Sequence, residues 1–255
     1  MPELTEQERA VLMAQYPTGP TLADLTLADG EQTVYFVEAG EWCFLRTPPS
    51  YVADAGAPPT PCVLHCHGNG GYVREGEADW LVDEWKVMYV EEMLKRGIAV
   101  AESNACGAHW GHPNAVAATA ALAAALPSGA NVDAANLGIW GGGLGGDLVW
   151  NCATGPLLGK LKAAAMQQAT LSYDSVIRDH QFKDQLLVAY GMPPDADDDI
   201  ACAALRFNDP LVRTKLLTRS MASAPQAGSC PRPSSCTAIS TTTCGNSSNH
   251  AHAID

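Results

Sequence analysis

Five of the six residues in Gly141-Gly142-Gly143-Leu144-Gly145-Gly146 are glycine. They stand between the apolar run Leu137-Gly138-Ile139-Trp140 and the stretch Asp147-Leu148-Val149-Trp150-Asn151-Cys152-Ala153. Glycine has no β-carbon, so such a run lets the backbone take positive φ and pass close to neighbouring chain. Between a strand and a helix it predicts a sharp turn at the end of a buried strand. The chain is therefore expected to alternate strands with helices.

The flanking sequence supplies that alternation. Residues 21 to 48 alternate apolar and polar around Asp29-Gly30 and Ala39-Gly40, including Thr33 to Val37 and Glu41 to Leu45, which predicts antiparallel hairpin strands. Cys62-Val63-Leu64-His65-Cys66 is a short, nearly unbroken apolar run that stops at His67-Gly68-Asn69-Gly70-Gly71, as a central strand entering a glycine loop does. From Glu77 to Arg96, Trp80, Leu81, Trp85, Met88, Tyr89, Met93 and Leu94 recur at helical spacing, and Gly97 ends that helix. Ile98 to Ala101 is a strand, Ala115 to Leu126 an alanine-rich helix, Asn136 to Trp140 a strand, and Leu161 to Leu171 holds another. The predicted fold is α/β, a mainly parallel sheet with helices on both faces.

Asp174 to Arg219 is helical and acidic, broken at Pro193-Pro194-Asp195 and at Asn208-Asp209-Pro210. We expect a small helical cap at about 174–219 within a domain covering 1–220. Residues 221–255 differ in kind: Ser, Thr, Cys, Pro and Ala dominate, and only Arg232 and Asp255 are charged. This tail is expected to be of low complexity and disordered, with the late strands of the sheet missing.

Composition narrows the function. The net charge of -13 offers no basic footprint for nucleic acid, which is expected not to be a partner. No apolar run approaches the ~20 residues of a membrane span. The acidic, polar start Met-Pro-Glu-Leu-Thr-Glu lacks the pattern of a secretory signal, so a cytoplasmic location is expected. The 9 cysteines are odd in number and widely spread, which argues against a disulfide framework. No metal is expected: Cys66 alternates away from His65 and His67, and Cys230, Cys236, Cys244, His250 and His252 lack zinc spacing.

The glycine cluster has two readings. Gly141, Gly143 and Gly146 satisfy the dinucleotide pattern G-x-G-x-x-G, but no acidic residue stands about 20 positions on to hold a ribose. Gly141-x-Gly143-x-Gly145 also fits the frame G-x-S-x-G of a nucleophile elbow. With His67-Gly68-Asn69-Gly70-Gly71 matching an HGGG-type loop, residues from roughly 30 to 175 resemble the α/β-hydrolases, serine esterases and lipases among them. The segment from Ser103 to Gly111 resembles the rim loop of such a site.

The resemblance implies ester or amide hydrolysis of a small acyl substrate, without a cofactor. It puts Gly143 at the nucleophile position, with the serine absent, and the amides of Asn69 or Gly70 and of Leu144 in an oxyanion hole. It puts His67, Gly71, His109 and Trp110 around the substrate, although a histidine such as His67 usually makes a structural hydrogen bond. Cys106 as a stand-in nucleophile has no base beside it in the sequence, and Asp174, Asp179 and His180 read more readily as helix-capping residues.

An acid and a histidine should follow on late strands. The tail offers only His250 and His252. With GC-rich codons, Ser229 to Asn249 read in another frame can give LPPAKQLHGDLDDHVRELEQ, so the tail is expected to be a frameshifted hydrolase C-terminus. The expected function is a serine-hydrolase relative that is inactive or weak. The alternatives are a non-enzymatic ligand- or partner-binding protein on the same scaffold and a dinucleotide-dependent enzyme.

Overall fold

A computed structural model describes residues 17–223 and 239–242. The main sheet has seven strands in the order β1-β2-β6-β3-β7-β8-β9. They are β1 (Gln32–Glu38), β2 (Glu41–Thr47), β3 (Thr60–Cys66), β6 (Ala99–Ser103), β7 (Val132–Gly142), β8 (Ala163–Gln167) and β9 (Ile239–Thr242). β2 runs antiparallel to both its neighbours, and the pairings from β6 onward are parallel. The short pair β4 (Val73–Arg74) and β5 (Glu77–Ala78) forms a separate ribbon.

Ala39-Gly40 makes the predicted hairpin, with φ of 51° and 78° at its two central residues. Two successive positive φ angles give the turn whose twist matches antiparallel strands. Asp29-Gly30 is not a second hairpin turn. The Gly30 amide instead donates to the Tyr51 carbonyl at 2.8 Å, tying the segment before β1 to the loop after β2.

One face of the sheet carries α3 (Pro113–Gly129) and α4 (Leu144–Ala153). Leu64, Ile139, Leu122, Leu126, Leu148 and Cys152 meet there in the main core. Each such aliphatic side chain, fully buried, stabilises the fold by roughly 1.5–3 kcal/mol before ordering costs. The other face carries α1 (Asp79–Val82) and α2 (Glu84–Lys95), which pack on Phe44, Val73 and Val100 through Val90 and Leu94.

The predicted helix from Glu77 to Arg96 is broken. Asp83 ends α1 and caps α2, its carboxylate accepting from the Trp85 amide at 3.0 Å. Gly97 does end α2, at φ +74°. The residues read as its core stripe are partly on the wrong side: Trp85 is 77% exposed, with Met88 and Tyr89 also exposed. The segment has two apolar stripes, and spacing alone does not say which faces the sheet.

The helical segment forms α5 (Tyr173–Arg178), α6 (Lys183–Ala189), α7 (Asp198–Leu205) and α8 (Pro210–Ser223). Tyr173, Ile177, Leu186, Leu187, Ala201 and Leu205 make a second core, closed by Trp110 and by Leu144 at the start of α4. Asp209 ties this layer together. Its buried carboxylate accepts from the amides of Tyr173 (2.7 Å), Asp174 (3.2 Å), Leu211 (2.8 Å) and Val212 (3.1 Å), serving the first turns of both α5 and α8.

β9 lies inside the segment expected to have no periodic structure. It pairs in parallel with β8, Ile239 opposite Ala164 and Thr242 opposite Gln167. Ladder pairing uses backbone groups, which no side-chain pattern advertises.

Candidate active site

The glycine cluster is the turn from β7 into α4, as predicted. Gly143 has φ +56° and ψ -124°, and its amide donates to the Gln167 carbonyl at 2.9 Å. A β-carbon added there would meet nothing within 4 Å. Its neighbours are different. A β-carbon on Gly141 would lie 2.7 Å from the Cys66 carbonyl oxygen, one on Gly145 1.9 Å from the same atom, and one on Gly146 2.5 Å from Ala169 Cβ. The turn therefore needs glycine where α4 presses on the end of β3, and it leaves the tip of the turn free to carry a side chain.

The loop after β3 folds beside this tip. Gly68 to Gly71 is a four-residue turn with Gly70 at φ +75° and the Gly71 amide donating to the Gly68 carbonyl at 3.1 Å. A β-carbon on Gly68 would come within 3.1 Å of the Gly142 carbonyl, so the two glycine motifs of the sequence touch. Asn69 and Gly70 are exposed at the tip. Leu144 is the first residue of α4, so its amide has no acceptor within the helix.

A cleft of about 270 Å³ opens between them, lined by Asn69, Gly71 and Gly143 together with Trp80, Lys86 and Gln168. Asp79 and Gln167 complete its polar side. Of the lining residues, Trp80 reads in the sequence only as part of a helical stripe, and Asp79, Lys86, Gln167 and Gln168 stand in no motif. One signal was available: Asp79 and Lys86 are seven apart in a helically patterned stretch. They form an ion pair at 2.8 Å, with Asp83 a further 3.6 Å partner of Lys86.

The histidines of the two loops are spoken for by backbone. His67 is fully buried, with Nε2 2.8 Å from the Asn104 carbonyl and Nδ1 3.0 Å from that of Gly68. His109 accepts from the Gly111 amide through Nδ1 at 3.1 Å, so its Nε2 carries the proton and donates to the His67 carbonyl at 3.2 Å. Burial holds the His109 pKa down at about 3, and the ring is neutral. Trp110 is buried, and its carbonyl accepts from the hydroxyls of Tyr173 and Tyr190. These residues brace the loops behind the cleft, whereas Gly71 lines it directly.

The remaining candidates fall elsewhere. Partial desolvation and the nearby Glu41 carboxylate push the Cys106 thiol up to about 12, far from a thiolate nucleophile. His112, just past the Ser103 to Gly111 loop, caps α3, its Nδ1 accepting from the Asn114 amide at 3.1 Å. Asp174 pairs with Arg178 at 3.2 Å on the surface, Asp179 ends α5, and His180 faces Asp198 at 3.6 Å. His250 and His252 lie outside the described residues. Cys66 packs in the core on the opposite face from His65, and among the described residues no group of three or more His, Cys, Asp or Glu could hold a metal ion.

Two buried acids carry no obvious surface role. His65 Nδ1 lies 2.8 Å from Glu102 Oε2 with both side chains inside the sheet layer. Burial drives His65 down to about 3 and the Glu102 carboxyl well up, which favours the neutral form of both. Asp147, on the first turn of α4, is fully buried, and burial likewise raises its carboxyl.

No family model and no curated protein matches the chain in sequence. Solved structures match its shape. A puromycin hydrolase crystal structure superposes with a TM-score of 0.53 at 20% identity, over 72% of this chain and 28% of the other. The chain has the α/β-hydrolase fold. A Mycobacterium tuberculosis puromycin-hydrolyzing peptidase (TM-score 0.51, 21% identity, 71% and 29% covered) matches similarly. So does prolyl oligopeptidase B from Galerina marginata (0.52, 15%, 72% and 26%). In each, the matched part is the α/β-hydrolase domain, and this chain spans little more than a quarter of the neighbour's length. Among the described residues no helix is long and apolar enough to cross a membrane.

Proposed function

We propose that the chain is a relative of the serine ester and amide hydrolases whose cleft binds a small acyl ligand and turns it over weakly or not at all. The observation that carries this is Gly143: it stands at the tip of a positive-φ turn beside a glycine loop, where a nucleophile would project, and it has no side chain. The amides of Leu144 and of Asn69 or Gly70 are the oxyanion donors in this reading, and α5 to α8 are its cap. Without a nucleophile, such donors and binding leave a residual acceleration of about 10³–10⁴ over water in enzymes where it has been measured.

A p-nitrophenyl acetate assay on this chain and on Gly143→Ser tests the reading. The expected result is weak turnover at most by the unmodified chain, and no large gain in Gly143→Ser, because the cleft lining contains Asp79 and Lys86 as its titratable groups and no histidine. Strong turnover by the unmodified chain overturns it. High activity in Gly143→Ser reveals an acid and base and overturns the claim that the triad is lost.

A further inference from the structure

A mainly parallel sheet needs both faces covered, because its strands are apolar on both sides. On the face of α3 and α4 this requirement is met. On the face of α2, the outward residues of β8 (Ala163, Ala165 and Gln167) are exposed. They floor an apolar groove of about 410 Å³ whose walls are Tyr89, Met93 and Trp140. Tyr89 joins it to a second hollow of about 520 Å³ along α2, lined by Trp85 and Met88 and, toward the C-terminal end, by Glu91, Glu92 and Lys95. Trp85, Met88, Tyr89 and, at the end of α1, Val82 are between 53% and 77% exposed, which makes one contiguous apolar strip. Strips of this kind on soluble proteins mark interaction sites.

Charge says what fits there. Asp83 and Glu84 stand at the N-terminal end of α2, and Lys95 and Arg96 at its C-terminal end. Glu92 is answered by both cations, at 2.9 Å from Lys95 and 3.8 Å from Arg96, which leaves that end positive. Glu91 turns away toward Arg46 at 3.4 Å. At the other end Lys86 answers Asp83 at 3.6 Å, and Glu84 has no ion pair among the described residues, so the strip is apolar in the middle, acidic at Glu84 and basic at Lys95 and Arg96. A surface with that pattern is complementary to itself under a two-fold rotation, which sets each acidic end against the other's basic end and opposes the helix dipoles.

We propose that this face is a homodimer interface, in which α2 packs antiparallel against α2 of a second copy over Met88 and Tyr89, with Glu84 facing Lys95 of the partner subunit. The occupant would also screen Trp140 and the exposed residues Ala163, Ala165 and Gln167 of β8.

Sedimentation velocity of the full chain at rising concentration tests this. A concentration-dependent dimer is expected. Met88→Glu, at an exposed position that leaves the fold intact by circular dichroism, is expected to weaken it about tenfold or more. Glu84→Lys and Lys95→Glu should each weaken the dimer, and the double swap should recover it, which a loss of folding would not do. A monomer at every concentration overturns the proposal and leaves the strip to a foreign partner or to another segment of this chain. So does a dimer that Met88→Glu does not affect, or a double swap that fails to recover it.

Discussion

The carbonyl oxygen of Cys66 and the α-carbon of Gly145 approach so closely that a β-carbon on Gly145 would lie 1.9 Å from that oxygen. This contact fixes the start of α4 against the end of β3. It brings the turn at Gly143 and the glycine loop after His67 to the same end of the sheet.

Gly145→Ala is expected to lose more than about 3 kcal/mol or to fail to fold, because backbone on both sides must move. Gly143→Ala meets open space and bears only its positive φ, a cost of about 1–3 kcal/mol. Urea midpoints of the two variants measure the difference, and equal midpoints would contradict the packing of the turn.

Asp209 serves four amides at the starts of two helices. Replacing it with alanine leaves those donors without a carboxylate, and a cap alone is worth about 0.5–2 kcal/mol. We expect Asp209→Ala to loosen α5 to α8 selectively. Amide hydrogen exchange should quicken in residues 173–218 while β3 and β7 keep their protection.

His65 and His109 should each make stability fall as the pH drops below about 6.5, against the opposite slope of the buried acids Glu102 and Asp147. His65 and His109, held near 3, stay neutral in the fold while an unfolded histidine takes a proton at about 6.5. The unfolded state therefore binds more protons between these values, and each histidine can add a slope of up to about 1.4 kcal/mol per pH unit. The contribution is complete above 6.5 and lost as pH falls toward 3. Urea midpoints across this range, compared between this chain and His109→Gln, check it: the pH slope of the variant should be the smaller by the share of His109.

Glu102 acts with the opposite sign. Its raised carboxyl keeps a proton in the fold that the unfolded chain releases above about 4.3, so its contribution is lost as the pH rises. Glu102→Gln, neutral at every pH, should gain stability relative to the unmodified chain as pH climbs from 4 to 8. A constant difference across that range would mean Glu102 is ionised in the fold.

Much of the scaffold was legible because it rests on local rules. The turn at Ala39-Gly40, the strand at Cys62 to Cys66 and the strand, turn and helix around Gly141 to Gly146 each announce themselves by period or by glycine. The site was legible only in its backbone. Its side chains, Asp79, Trp80, Lys86, Gln167 and Gln168, come from α1, the following helix and the end of β8, and no short motif links them.

The sequence by itself determined that strands alternate with helices and that a turn of glycines joins β7 to α4, since both follow from residue identity and spacing. Tertiary structure decided which stripe of α2 is buried, that His67 and His109 brace loops, and that β9 joins the sheet. Those outcomes depend on which surfaces and backbone groups meet across long stretches of chain, and periodicity along the chain carries no information about the partner.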